Sequence, residues 1–321
     1  TGVLVAVIVA NFIYVMYGVY VIRRDFEKRL DINWLRSRFK HIWLPVMQSA
    51  VGYVNSASDQ FLIGTLLSPL QLSAYGIGIT ISNAVKTSSQ IAVPFSRSIL
   101  PKTSISKHEV RSIIKFIAIF TIPMFIGGIM LSQELFGVFG ARYSTDSWIS
   151  WPLLVAAVLT SYSAIFSGII SGLEKIDYDL GADFRTLLRS RLFNLTVIDY
   201  IATLTLIISS IVMIPWIGVF GVALSRLITS SISFMVLLIM CKQYLELTKI
   251  LKDISLVIVA CIPMVIYLIF FKPLGTISIL LTIAIAATIY FICLYLLDNE
   301  SRRLIKAFIQ EITQKLLYPL D

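Results

Sequence analysis

The sequence predicts an all-α fold, a polytopic membrane protein built as a helical bundle of about nine transmembrane helices. Three observations carry this expectation. Of 321 residues, 57% are hydrophobic and only 14% charged, with a mean hydropathy of +0.86, whereas soluble domains run about 45–50% apolar and about 25% charged. One soluble core cannot hide so much apolar surface, so lipid is the solvent for most of the chain. Apolar runs of spanning length recur from end to end, and the basic residues gather on alternate connections between them. A cytosolic enzyme, a secreted domain and a disordered chain are thereby excluded.

A span needs about 20 mostly apolar residues. The first run, 2–22, has no polar flank before it and its basic residues after it, from Arg23 onward. A signal peptide has the reverse order, so this run reads as a spanning helix. In 23–41, Phe26, Leu30, Trp34, Leu35 and Phe39 gather on one helical face of a basic segment, which suits a helix lying on an anionic inner leaflet. Further spans are expected at 42–67, 71–98, 113–132, 148–171, 193–214, 218–240, 253–271 and 276–297. Ser68-Pro69, Pro101, Pro215 to Gly218, and Lys272-Pro273 before Gly275 mark the joints. Residues 300–317 form a second amphipathic segment, with Leu304, Ile305, Phe308, Ile309, Ile312 and Leu316 opposite Arg303, Lys306 and Gln314.

The charge census sets an orientation. Segments 23–41, 97–115, 172–192, 241–253 and 298–321 carry 23 of the 27 Lys and Arg residues, all on alternate connections. Only Arg142 and Lys272 lie on the others, and Lys86 and Arg226 lie inside spans. The positive-inside bias puts the basic connections in the cytoplasm. The segment then begins outside and ends in the cytoplasm, in a cell (cytoplasmic) membrane. The basic balance therefore reports membrane orientation, and no nucleic-acid partner is expected.

Cys241, Cys261 and Cys293 form no CxxC pair and read as small buried hydrophobes. His41 and His108 are far apart, so neither a metal site nor a cofactor is expected. The acidic stretch Glu174, Asp177, Asp179 and Asp183 lacks the glycine spacing and terminal Glu of a calcium loop. No phosphate-binding or dinucleotide fingerprint occurs, and the outer connections are too short for a catalytic domain. Passage rather than chemistry is expected.

Polar residues inside spans are costly, and ionisable ones are functional candidates by default. In the second span Gln48, Gly52, Asn55 and Asp59 recur on one helical stripe, with Ser49, Tyr53, Ser56 and Gln60 beside it. In the third, Gly76, Thr80, Asn83, Thr87, Gln90, Pro94 and Arg97 make another, with Lys86 at its margin. Two such seams on consecutive helices are expected to line one wet cavity, although small polar residues also serve as contacts between membrane helices. Asp59 lies eight residues before Leu67 and Arg226 eight after Gly218, so both sit about 12 Å from the same end of their spans. Equal depth allows an ion pair, or opposite charges facing one cavity. Asp199 is nearer its span's end, can snorkel, and ranks lower.

The order of several motifs resembles a known family. Asp59-Gln60-Phe61-Leu62-Ile63-Gly64, then Leu72-Ser73-Ala74-Tyr75-Gly76-Ile77, is similar to the start of the C-terminal lobe of polysaccharide-unit flippases in the multidrug/oligosaccharidyl-lipid/polysaccharide exporter superfamily. Leu135-Phe136-Gly137, followed by Tyr143, resembles the family's LFG turn. Gly168 to Leu173 resembles the end of its tenth helix, and Pro215 to Ala223 its P-x-x-G-x-x-G-x-A hairpin. The resemblance covers roughly 40–240 and implies a two-lobe exporter of fourteen helices, of which these nine are helices six to fourteen. It implies a last helix of a truncated N-terminal lobe at 1–22 and a basic cytoplasmic linker helix at 23–41. A C-terminal six-helix lobe would follow at 42–241, two additional transmembrane helices at 242–298, and a cytoplasmic amphipathic tail at 299–321.

The implied function is that of a flippase, moving a lipid-linked oligosaccharide or polysaccharide repeat unit by alternating access. Lys86 and Arg226 would then face the lipid's phosphate. Asn55, Asn83, Gln48 and Gln90 would bind sugar hydroxyls, and Asp59 would pair with a cation, a proton or Arg226. Its partners would be the lipid-linked substrate, membrane lipids and other polysaccharide-assembly proteins. Two other readings stay open, a multidrug or organic-cation antiporter of the same fold and a non-transporting membrane assembly subunit.

Overall fold

The computed structural model describes residues 2–22, 43–99, 106–172, 188–273 and 275–304. The basic segment 23–41, the acidic stretch 174–183 and the amphipathic tail beyond Leu304 lie outside the described residues. Among the described residues no strand occurs, and nine helices exceed twenty residues. The chain divides into two compact units, Thr1–Pro45 and Val46–Asp321. The first contains α1 (Gly2–Ile22), whose apolar residues surround the helix, as a lipid-facing helix requires.

The second unit is built from α2 (Trp43–Leu66, beginning in the last residues of the first unit), α3 (Pro69–Ile99), α4 (Lys107–Met130), α5 (Ser132–Val138), α6 (Ser150–Gly172), α7 (Arg191–Ile217), α8 (Val219–Cys241), α9 (Leu247–Phe270) and α10 (Thr276–Leu297). A 3-10 turn, Ala141–Ile149, leads into α6. Six helices are long and apolar enough to cross a bilayer: α4, α6 with its leading turn, α7, α8, α9 and α10. Polar stripes keep α2 and α3 below that measure. Large apolar side chains remain exposed along α7, α9 and α10, from Ile201 to Trp216 and from Ile277 to Leu296. A surface of that extent belongs against lipid.

Capping explains where the helices begin. Ser68 Oγ accepts from the Gln71 amide at 3.3 Å while Gln71 Oε1 accepts from the Ser68 amide at 3.2 Å, a reciprocal cap that starts α3 at Pro69. Ser106 and Glu109 form a second such box. It starts α4 at Lys107 rather than at the expected 113, because satisfied end amides let the helix extend into charged sequence. The turn between α7 and α8 needs two glycines. Gly218 has φ +58°, and a Cβ on Gly221 would lie 2.9 Å from the Met213 carbonyl carbon.

α6 is the hub, packing against α3, α4 and α8; α7 lies on α8, α9 on α4, and α10 on α9. Two apolar clusters close the ends. One gathers Leu62, Ile63, Tyr75, Phe136, Ile149 and Val222. The other, at the end carrying the basic connections, gathers Val110, Ile117, Phe166, Leu195, Cys241 and Ile250. At that basic end Lys115, 2% exposed, meets Asp298 at 2.8 Å, Glu300 at 2.6 Å and Asp253 at 3.4 Å. Arg111 grips Asp253 with two nitrogens, at 2.6 and 2.9 Å. Asp298 also caps the chain after α10, accepting from the Ser301 amide and hydroxyl. Burial alone would raise the Asp298 carboxyl, but the Lys115 ammonium and the Ser301 donors hold it below the usual carboxylate range. This ionic clasp ties α4, α9 and the exit of α10 together.

Candidate functional site: a polar cavity behind α2

α2 meets the bundle through side chains rather than close backbone packing. Leu62 and Ile63 seat one end; below them the stripe expected from the sequence makes the contacts. Asn55 and Asp59, one helical turn apart, both face Arg226 of α8. Arg226 Nε donates to Asp59 Oδ2 at 2.8 Å, Nη1 to Asn55 Oδ1 at 3.0 Å and Nη2 to the Asn55 carbonyl at 3.0 Å. The buried Tyr75 hydroxyl of α3 donates to Asp59 Oδ2 as well. The equal-depth argument thus ends in an ion pair, with Asp59 1% exposed.

α2 is also pinned to α7. Gln48 Nε2 donates to Thr196 Oγ1 and Asn55 Nδ2 to Thr203 Oγ1, each at 3.1 Å and each across 148 residues of sequence. Equal offsets seven residues apart mean two parallel helices in register over two turns. Both threonines spend their own proton on a carbonyl four residues back, at 3.0 and 2.8 Å, which leaves the hydroxyl oxygen free to accept an amide. Tyr200 adds a hydrogen bond to the Met47 carbonyl at 3.3 Å.

Behind α2 lies a cavity of about 340 Å³ lined from α2, α3, α6, α7 and α8. Asn55, Lys86 and Arg226 line it, as does Asp199. Gln48 lies outside its lining but on the same seam. Asn83 and Gln90 are exposed on another face of α3 together with Thr80 and Thr87, so the α3 stripe and the cavity are different surfaces. A helix 31 residues long can carry both, since its polar residues are not confined to one side.

Two readings change with this geometry. The guanidinium of Arg226 is engaged by α2 at all three nitrogens, so in this arrangement it anchors a helix rather than facing an anion. The cavity's free cation is Lys86, which has no partner for its ammonium among the described residues. Asp199 also lines the cavity, while remaining exposed. Sequence reasoning also missed the hydroxyl wall: Thr160, Ser163 and Ser167 of α6 and Thr229, Ser230 and Ser233 of α8. Their only signal is a hydroxyl every three or four residues, which membrane helices also use for contacts.

A second, almost wholly apolar groove of about 510 Å³ runs between α3, α4, α9 and α10, past Ile81, Met124, Leu131, Met264, Ile283 and Phe291.

Comparison with known proteins places this architecture. The chain is similar to the solved structure of the lipid II flippase MurJ in its inward closed conformation, with a TM-score of 0.60 and 17% identity. The likeness covers 90% of this chain and 59% of that one, so the chain spans about three fifths of the flippase's length. At this identity the likeness is one of fold. No curated protein sequence matches the chain. The family described as "Polysaccharide biosynthesis protein" matches residues 2–164, half of the chain. With that match and an all-helical fold in which six helices can cross a bilayer, the chain is a multi-pass membrane protein and belongs to the polysaccharide biosynthesis protein family.

Proposed function

We propose that the protein containing this chain is a flippase that carries lipid-linked sugar units across the cytoplasmic membrane, with the basic connections in the cytoplasm. No bond is made or broken; binding and a change of access do the work. The observation that carries this reading is a hydrophilic cavity holding Lys86 and Asp199 in the interior of an otherwise apolar bundle. Free charge at that depth is expensive and is retained where it serves a pathway. The exposed polar faces of α2 (Ser49, Tyr53, Ser56, Gln60) and α3 (Thr80, Asn83, Thr87, Gln90) support it, since such faces would line a wet path opposite another lobe. The apolar groove along α9 and α10 offers a site for the substrate's hydrocarbon tail.

The test is made in cells lacking the full-length gene, by quantifying lipid-linked sugars on each membrane face. Accumulation on the cytoplasmic face, reversed by the gene but not by a Lys86→Met form that still reaches the membrane, is expected. An unchanged distribution refutes the flippase reading.

A further inference from the structure

The hairpin of α9 and α10 is attached to the bundle chiefly through α4, and the attachment changes character along its length. At the basic end it is polar. Lys115 meets Asp298 and Glu300, and Arg111 grips Asp253. One turn farther along α4, the fully buried Tyr290 of α10 donates its hydroxyl proton to the Ile119 carbonyl at 2.8 Å. That carbonyl is vacant for a reason written in the sequence. Its helical donor would be the amide of residue 123, which is a proline and has none. An unpaired carbonyl is expensive inside a bilayer, so Pro123 creates the acceptor that Tyr290 fills.

Beyond Tyr290, toward the far end, the attachment is apolar. Leu131 of α4, Leu135 of α5 and Leu268 of α9 share one cluster. Among the described residues, no side chain from Met264 to Phe271 or from Thr276 to Ala287 forms a hydrogen bond or ion pair with α4. In water such apolar contacts would hold helices together. In lipid they exchange at little cost, because hydrocarbon chains are as apolar as leucine. The apolar groove of about 510 Å³ lies along this second stretch, from Tyr290 and Phe291 to Leu131 and Leu268. Pro263 interrupts α9 beside it. Lys107 to Pro123 and Leu247 to Pro263 are equal steps along neighbouring helices that both start at the basic end, so both prolines sit about 24 Å from that end. Past Pro123, α4 is held by α6, where a Cβ on Gly128 would lie 3.0 Å from Leu154.

We propose that the α9–α10 hairpin is a flap. Tyr290 is its positioning residue. With the ionic clasp it fastens the basic halves of α9 and α10 to α4, while the far half of α9 bends away at Pro263. α10 leans with it, because its buried seam of Ile279, Thr282 and Ala286 belongs to the packing of α10 on α9. The groove widens from its far end, which the orientation proposed above puts outside, and lipid chains replace the lost contacts.

Two measurements on the purified full-length protein test this. In lipid nanodiscs, with Cys241, Cys261 and Cys293 replaced by Ala, nitroxide pairs are placed at exposed positions and their distances read by pulsed EPR. Gln133→Cys with Ile277→Cys marks the far end, and His108→Cys with Leu297→Cys the basic end. The far-pair distribution should be at least about twofold wider than the basic-pair one, and Pro263→Ala should narrow the far pair while leaving the basic pair as it was. Equal widths, or a far pair indifferent to Pro263→Ala, overturn the flap. The second measurement is the melting temperature. Tyr290→Phe should lower it in the native background but hardly in Pro123→Ala, where residue 123 regains an amide that donates to the Ile119 carbonyl. A side chain that merely packs would lose the same in both backgrounds, and that result removes Tyr290 as the fastener. The distances involve no Tyr290 variant, so they decide the flap even where Tyr290→Phe fails to fold. Neither measurement needs transport. A flap without flipping in cells would sink the flippase reading alone, and flipping with a rigid hairpin would sink the flap alone.

Discussion

Removing Arg226 tests whether α2 is held by the buried ion pair. In Arg226→Met the Asp59 carboxylate, 1% exposed, loses both guanidinium donors and keeps only the Tyr75 hydroxyl; Asn55 loses two acceptor contacts as well. Breaking a buried pair from one side costs about 3–5 kcal/mol, because an uncompensated charge stays behind. Replacing both partners by apolar residues is often nearly neutral. Arg226→Met and Asp59→Leu should therefore each lower stability by about 3–5 kcal/mol, and the double variant by no more than either single, which is a coupling of at least about 3 kcal/mol. The assay is a double-mutant cycle on thermal unfolding of the full-length protein in detergent. It is read alongside maleimide labelling of Ser56→Cys on α2, which should quicken in the singles as the helix loosens. If the double variant loses as much as the two singles added together, Asp59 and Arg226 are not coupled and the anchoring argument falls.

Other outcomes follow from the packing and the clasp. Gly221→Ala should destabilise the α7–α8 hairpin by about 1–3 kcal/mol, since its Cβ would lie 2.8 Å from Met213 Cβ and 2.9 Å from that residue's carbonyl; the melting temperature in detergent checks it, and an unchanged value contradicts it. Lys115→Met should cost about 3–5 kcal/mol by stranding three carboxylates, whereas Lys115→Arg, which keeps the charge, should recover part of the loss in the same measurement. Because the folded Asp298 carboxyl lies below its ordinary value, its contribution to stability is present above the unfolded value of about 3.9 and is lost as pH falls through the lower, folded one. Melting temperature should fall on acidification past about pH 4, and less steeply in Asp298→Asn; parallel profiles would show that this carboxylate is not responsible.

Length and apolarity of the runs, punctuated by Ser68-Pro69 and by Pro215 to Gly218, are local properties, and they located the nine long helices from sequence alone. Depth along a helix is equally local at about 1.5 Å per residue, so the equal depth that lets Asp59 and Arg226 meet was legible across a separation of 167 residues. The rotation of each helix about its axis was not legible. Asn83 and Gln90 share a stripe with Gly76, yet they face away from the cavity that Lys86 lines. Asp199 looked free to snorkel because its distance from the helix end is written in the sequence, while the cavity it also lines exists only because α6 and α8 pack beside α7. The same holds for Arg226. Its charge and depth marked it for an anion, and only the tertiary structure supplied the Asn55 carbonyl, Asn55 amide oxygen and Asp59 carboxylate that occupy it. Period and composition record which residues can share a face; which neighbour that face meets depends on long-range packing, and there the choice between a helix anchor and a ligand contact is made.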